Sequence, residues 1–222
     1  MKRCSFIILA VLCLCACGGR IDSSFNISDA DITPVSAPAP ELRCRSAVLM
    51  DYDTGTVLYS KEPLAPIAPA SMAKLMTTYL LVEKIKAGEY SLDDVITVPP
   101  EADFRKAPPQ SSLAFLEAGT KITLRHLLTG LMVCSGNDAA TAVAILVAGS
   151  VDACVGAMNS KAQELGFASF EFVDPAGYYD GNVVNALEFC RFCCIYIRDC
   201  YDVMGPVINE PRFASYNTTQ PN

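Results

Sequence analysis

Ser71 and Lys74 stand three residues apart in the stretch Ala68-Pro-Ala-Ser71-Met-Ala-Lys74-Leu-Met-Thr77. If the stretch is helical, residues three apart share a face, so the serine hydroxyl and the lysine amine meet at one spot. A serine becomes a nucleophile when a base takes its proton, and a desolvated lysine can serve. A second polar group is Ser135-Gly136-Asn137. A serine and an asparagine on a tight glycine loop can aim a hydroxyl and an amide at one cleft. The same residues, with Asp138, also suit a helix cap with a turn glycine.

The elements that must position these groups follow from periodicity. After Pro69, apolar residues recur at Met72, Leu75, Met76, Tyr79, Leu80, Val82 and Ile85, a helical stripe that Gly88 stops. Met72 and Leu75 flank Lys74, which puts its amine near the core side, where burial disfavours the charged form. Ser71 falls near the helix N-terminus, where partial positive charge and free N–H groups favour a developing oxyanion. Thr123 is a good N-cap for a helix over Leu124–Met132, with Leu127, Leu128 and Leu131 inward. Ala139–Ala148 reads as a central core helix capped by Asn137 or Asp138, and is too short to span a bilayer. Ser150 caps a further helix ending at Leu165-Gly166. Phe170–Val173 reads as extended and Asp174-Pro-Ala-Gly177 as a turn. Asn185 with Glu188 forms a capping box for a helix over Ala186–Arg198, and the segment from Asp202, with Pro206 and Pro211, reads as a tail. Ahead of all this, Ala47–Met50 and Val57–Ser60 flank a turn of Asp51, Thr54 and Gly55 as an antiparallel hairpin. A short strand is expected at Val95–Val98.

Composition narrows the function classes. Of 222 residues 51% are hydrophobic and 18% charged, which fits a globular chain with a real core. The net charge of −7 with no basic run argues against nucleic-acid binding. The single histidine, His126, excludes any site that needs two, and its place early in a helix reads as surface or cap-proximal rather than as part of a Ser-His-Asp triad. Cys190, Cys193 and Cys194 lie at helical spacing and read as small buried hydrophobes; no metal site or cofactor is expected.

The N-terminus reads as an export signal over residues 1–16: Lys2 and Arg3, then an apolar run from Phe6 to Ala16. Leu14-Cys-Ala-Cys17 resembles the lipobox of bacterial lipoproteins, which implies a lipid anchor on Cys17 and a membrane-attached protein of the cell envelope. The alternative is ordinary cleavage near Ala16. Loss of residues 1–16 removes Lys2 and Arg3, so the mature charge is 15 − 24 = −9. Residues 17–41, ending in a Pro-rich run, read as a flexible tether ahead of a catalytic domain over 42–222.

Pro-Ala-Ser71-Met-Ala-Lys74-Leu-Met-Thr and Ser135-Gly-Asn137-Asp-Ala-Ala together resemble the serine D-alanyl-D-alanine carboxypeptidases, the low-molecular-mass penicillin-binding proteins. Leu49-x-Asp51-x-x-Thr54-Gly55, Gly119-x-x-Ile122-Thr123-x-x-x-Leu127-Leu128 and Asp174-Pro175-x-Gly177 add to the likeness, which covers about Arg43 to Asn222. It implies an α+β, β-lactamase/transpeptidase-like fold with a helical subdomain on an antiparallel sheet. It implies Ser71 as the nucleophile that forms an acyl-enzyme on a peptidoglycan pentapeptide, and Lys74 as its base. Ser135 becomes the proton shuttle to the leaving amine and Asn137 a substrate-binding residue; β-lactams become acylating inhibitors. The family's third motif, Lys-Thr-Gly, does not occur in these 222 residues. The expectation is therefore a fragment, a truncated product or a decayed member that lacks later sheet strands and, as it stands, neither folds well nor turns over substrate. Two other readings are a class A-like serine β-lactamase, with Glu171 as the nearest candidate for its glutamate, and a non-catalytic surface lipoprotein.

Overall fold

The computed structural model describes residues 41–214. The export signal over 1–16, Cys17 and nearly all of the tether lie outside the described residues. Those described form two units, 41–67 with 184–195 and 68–183 with 196–214. Helices and small antiparallel sheets make up both, an α+β composition.

In the first unit, β1 (Ala47–Met50) pairs antiparallel with β2 (Val57–Lys61). The turn forms for the reason its residues suggest. The Asp51 carboxylate accepts from the N–H and hydroxyl of Thr54, 2.8 and 2.7 Å away, and Gly55 adopts φ +70°. Val48, Met50 and Val57 are the buried side of the hairpin. Ile67 bridges antiparallel to Val184. Helix α5 (Ala186–Ile208) starts where the capping box places it, with Asn185 Oδ1 accepting from the N–H of Glu188 at 2.8 Å.

Helix α5 runs ten residues past the expected stop at Arg198 and carries Pro206 inside it. Pro206 removes the helical partner of only one carbonyl, that of Asp202, and Asp202 is exposed to water. Cys200, Met204 and Val207 are buried one helical turn apart and hold the last turns in place.

The second unit is built around α3 (Asn137–Ala148), which packs on α1 (Lys74–Lys86), α2 (Leu124–Val133) and α4 (Val151–Glu164). Ala139, Ala140, Ala142, Val143 and Ala144 are almost fully buried; such small side chains let neighbouring helices come close. Thr123 caps α2 by accepting from the N–H of His126, and Ser150 caps α4 by accepting from Ala153. Gly88 follows α1 at φ +78°. β3 (Val95–Thr97) pairs with β4 (Lys121–Thr123), a partner too short for its sequence to announce. The His126 ring packs on Phe213, with centroids 4.7 Å apart. Among the described residues no single helix is long and apolar enough to cross a membrane.

Candidate active site

Ser71 lies in a 3-10 turn, Ala70–Ala73, that leads directly into α1, and Lys74 is the first residue of α1. The turn keeps the two side chains on one face, as the spacing predicts. Ser71 is exposed, whereas Lys74 is 3% exposed. Lys74 Nζ lies 3.1 Å from Ser71 Oγ, 2.8 Å from Asn137 Oδ1 and 2.9 Å from the carbonyl oxygen of Ala176. Three acceptors match the three protons of an ammonium.

Burial pulls the Lys74 pKa down to about 8, while the carboxylates of Asp174 and Asp138 act against that fall. An amine poised near neutrality, in contact with an open serine hydroxyl, can accept the proton that makes the serine a nucleophile.

Asn137 enters the site from the first turn of α3. Its N–H donates to the carbonyl of Ser112 at 2.8 Å, and its Nδ2 donates to Ser111 Oγ at 3.1 Å, leaving Oδ1 for Lys74. Asn137 and Asp138 do not cap α3: Gly136 holds that position, without a side-chain bond. Asp138 instead reaches sideways. Its Oδ1 accepts from Ala114 N–H and its Oδ2 from Leu116 N–H, each at 2.9 Å, pinning the segment that carries Ser111 and Ser112. The approach is close enough to need glycine at 136, since a Cβ there would lie 2.9 Å from the Ala114 nitrogen.

Ser135 sits half-buried between α2 and α3 at φ +55°, a left-handed conformation rare for a side-chain-bearing residue. Its hydroxyl bonds to neither Ser71 nor Lys74 among the described residues. Ala70, immediately before Ser71, is also left-handed, at φ +49°. Backbone held in such conformations tends to cluster at functional sites.

The opposite wall is the turn Asp174-Pro-Ala-Gly177. The buried Asp174 carboxylate gathers four donors: the N–H groups of Ala176, Tyr178 and Tyr179, and Asn182 Nδ2. Thr77 Oγ1 donates to the Pro175 carbonyl at 2.7 Å, tying the turn to α1. Gly177 passes so near Ala70 that a Cβ would overlap that residue's carbonyl oxygen. The turn is legible in the sequence, but its task of presenting the Ala176 carbonyl to Lys74 is not. Ser111 too carries no local signal, lying in a proline-marked loop.

With this geometry in view, residues 33–222 match the sequence profile of the D-alanyl-D-alanine carboxypeptidase family. The chain belongs to that family. It is 40% identical over 133 residues to D-alanyl-D-alanine carboxypeptidase DacF of Bacillus subtilis, covering 60% of this chain and 33% of the relative. It is 33% identical over 180 residues to DacA of Escherichia coli, covering 80% of this chain and 45% of that protein. The crystal structure of penicillin binding protein 5 from Haemophilus influenzae superposes with a TM-score of 0.71 at 32% identity, over 74% of this chain and 48% of that one. The chain thus spans about a third to a half of the curated relatives it matches.

Proposed function

We propose that this family member is a serine-type D-Ala-D-Ala carboxypeptidase acting on peptidoglycan stem peptides. The observation that carries the reading is the buried Lys74 amine, shared by Ser71, Asn137 and the Ala176 carbonyl. In the reaction, Lys74 takes the Ser71 proton and Ser71 Oγ bonds to the carbonyl carbon of the penultimate D-Ala. The peptide C–N bond breaks, Ser135 passes a proton to the departing amine of the terminal D-Ala, and Asn137 holds the substrate backbone. Water then hydrolyses the ester and restores Ser71. A β-lactam acylates Ser71 by the same first step. No step asks for a cofactor.

The class A-like β-lactamase reading needs a glutamate beside the nucleophile. Glu171 is exposed, and its backbone is paired with Val183 as an isolated bridge. That supports the carboxypeptidase reading.

The test is fluorescent-penicillin labelling of the full-length protein, with D-alanine release from a diacyl-D-Ala-D-Ala peptide. A stable label that Ser71→Ala abolishes, and D-alanine release, are expected. An unlabelled Ser71 would favour the non-catalytic surface lipoprotein instead, and rapid penicillin turnover a β-lactamase.

An exported protein of the cell envelope, anchored by lipid on Cys17, completes the reading. It rests on the N-terminal pattern and on the site of peptidoglycan. Mass spectrometry of the mature N-terminus checks it; an unmodified terminus sinks the anchor.

A further inference from the structure

Lys74 has two acceptors besides Ser71, and each is placed beside a buried carboxylate. Asn137 is followed directly by Asp138, and Ala176 stands two residues after Asp174. Asp138 is 2% exposed and Asp174 6%. Neither carboxylate bonds to Lys74. The Asp174 oxygens accept four hydrogen bonds, and those of Asp138 accept three, from the N–H groups of Ala114, Leu116 and Ala139. Most of their lone pairs are committed to the scaffold and none meets Lys74 Nζ, so neither is placed to take its proton. Burial pushes the Asp138 carboxyl up while its N–H donors oppose that rise, and a carboxylate held in such dry surroundings is weakly screened.

A base that collects a proton in a buried site becomes a buried cation, which is costly without nearby negative charge. Resting on the acyl-transfer reading above, we propose that Asp138 and Asp174 are paired positioning residues for Lys74: each fixes one of its two acceptors, and together they supply the negative charge that offsets the ammonium formed when Ser71 is deprotonated.

A charge role and a merely structural role move a measurable quantity in opposite directions. Loss of a nearby negative charge lowers the Lys74 pKa. Mere loosening of the scaffold lets water reach Lys74 and raises it toward that of a free lysine. The carboxylates of Asp138 and Asp174 are the charges that act on Lys74, from α3 and from the turn.

The experiment is an NMR titration of the Lys74 side chain in the full-length protein with 13C-labelled lysine, the resonance assigned by its loss in Lys74→Met. Asp138→Asn and Asp174→Asn are each expected to lower the midpoint by roughly one pH unit. The rising limb of the penicillin-acylation profile is expected to move down by the same amount, with a plateau severalfold lower. An unchanged or raised midpoint in a folded variant overturns the proposal. Should one variant fail to keep its helical circular-dichroism spectrum, the other decides. The titration needs no turnover: absence of acylation in the wild type would defeat the carboxypeptidase reading while the midpoints still judged the carboxylates.

Discussion

The carbonyl of Ala176 accepts a hydrogen bond from Lys74 Nζ at 2.9 Å, across 102 residues of sequence. The contact depends on how closely the turn after Pro175 approaches the turn before α1. Gly177, at φ +72°, packs on the Ala70 carbonyl with no room for a Cβ. Gly177→Ala adds steric overlap to an unfavourable left-handed conformation, a loss of roughly 2–4 kcal/mol. It should also push the Ala176 carbonyl away from Lys74. Urea denaturation measures the first effect and the rate of penicillin labelling the second. Labelling at the wild-type rate would show that the carbonyl is dispensable.

Ser111 holds the far end of the Asn137 amide, 3.1 Å from Nδ2. Ser111→Ala removes that partner from a buried amide, at a cost of about 1 kcal/mol. The amide then turns more freely, and Lys74 shares its acceptor less of the time. The expected outcome is stability lower by about 1 kcal/mol and acylation slowed roughly fivefold, since 1 kcal/mol is about a factor of five in rate. Ser111→Thr, which keeps the hydroxyl, should restore the rate.

The seven cysteines of the described residues are free thiols. Burial pushes Cys154 up to about 11, and Cys190 and Cys200 to about 12. Thiols that stay protonated and shielded react slowly. Brief iodoacetamide treatment of the native protein at pH 8, read by peptide mass spectrometry, should modify the partly exposed Cys44, Cys134 and Cys194 first. Prompt modification of Cys154 or Cys190 would contradict the packing.

Much of this site was legible in the sequence because its signals are local. The helix cap at Thr123, the Asn185 side-chain bond to the Glu188 N–H and the stop at Gly88 each involve residues a few positions apart, and each formed as expected. The Ser71–Lys74 pair is equally local. The misreadings come from partners far away. Asn137 and Asp138 look like caps, yet the N-cap is Gly136, and their side chains serve Lys74 and the 112–116 segment instead. The segment from Asp202 reads as a tail yet is helical to Ile208, because the burial of Cys200, Met204 and Val207 outweighs the local stop signal of Pro206. Ser111 and the Ala176 carbonyl were invisible because nothing in their own neighbourhood marks them.

The depressed pKa of Lys74 makes both rate and stability depend on pH, with a defined sign. With a folded value near 8 against 10.5 for a free lysine, the native state gives up this proton first as pH rises. Acylation of Ser71 needs the neutral amine, so its rate should climb with a midpoint near pH 8 and level off above it. For stability, the unfolded chain binds the extra proton between about pH 8 and 10.5, so this residue's contribution grows as pH rises through that window. The whole span is about 3 kcal/mol, and below pH 8 it appears as a constant cost of burying the charge. The buried cysteines oppose it. Their raised pKa values leave the native state holding protons that the unfolded chain loses near pH 9, which lowers stability there. Total stability therefore hides the lysine. The difference between wild type and Lys74→Met, from urea denaturation at pH 7 to 10, cancels the thiols and should rise with pH in favour of the wild type. A flat difference would mean that Lys74 keeps an ordinary pKa and is not the base for Ser71.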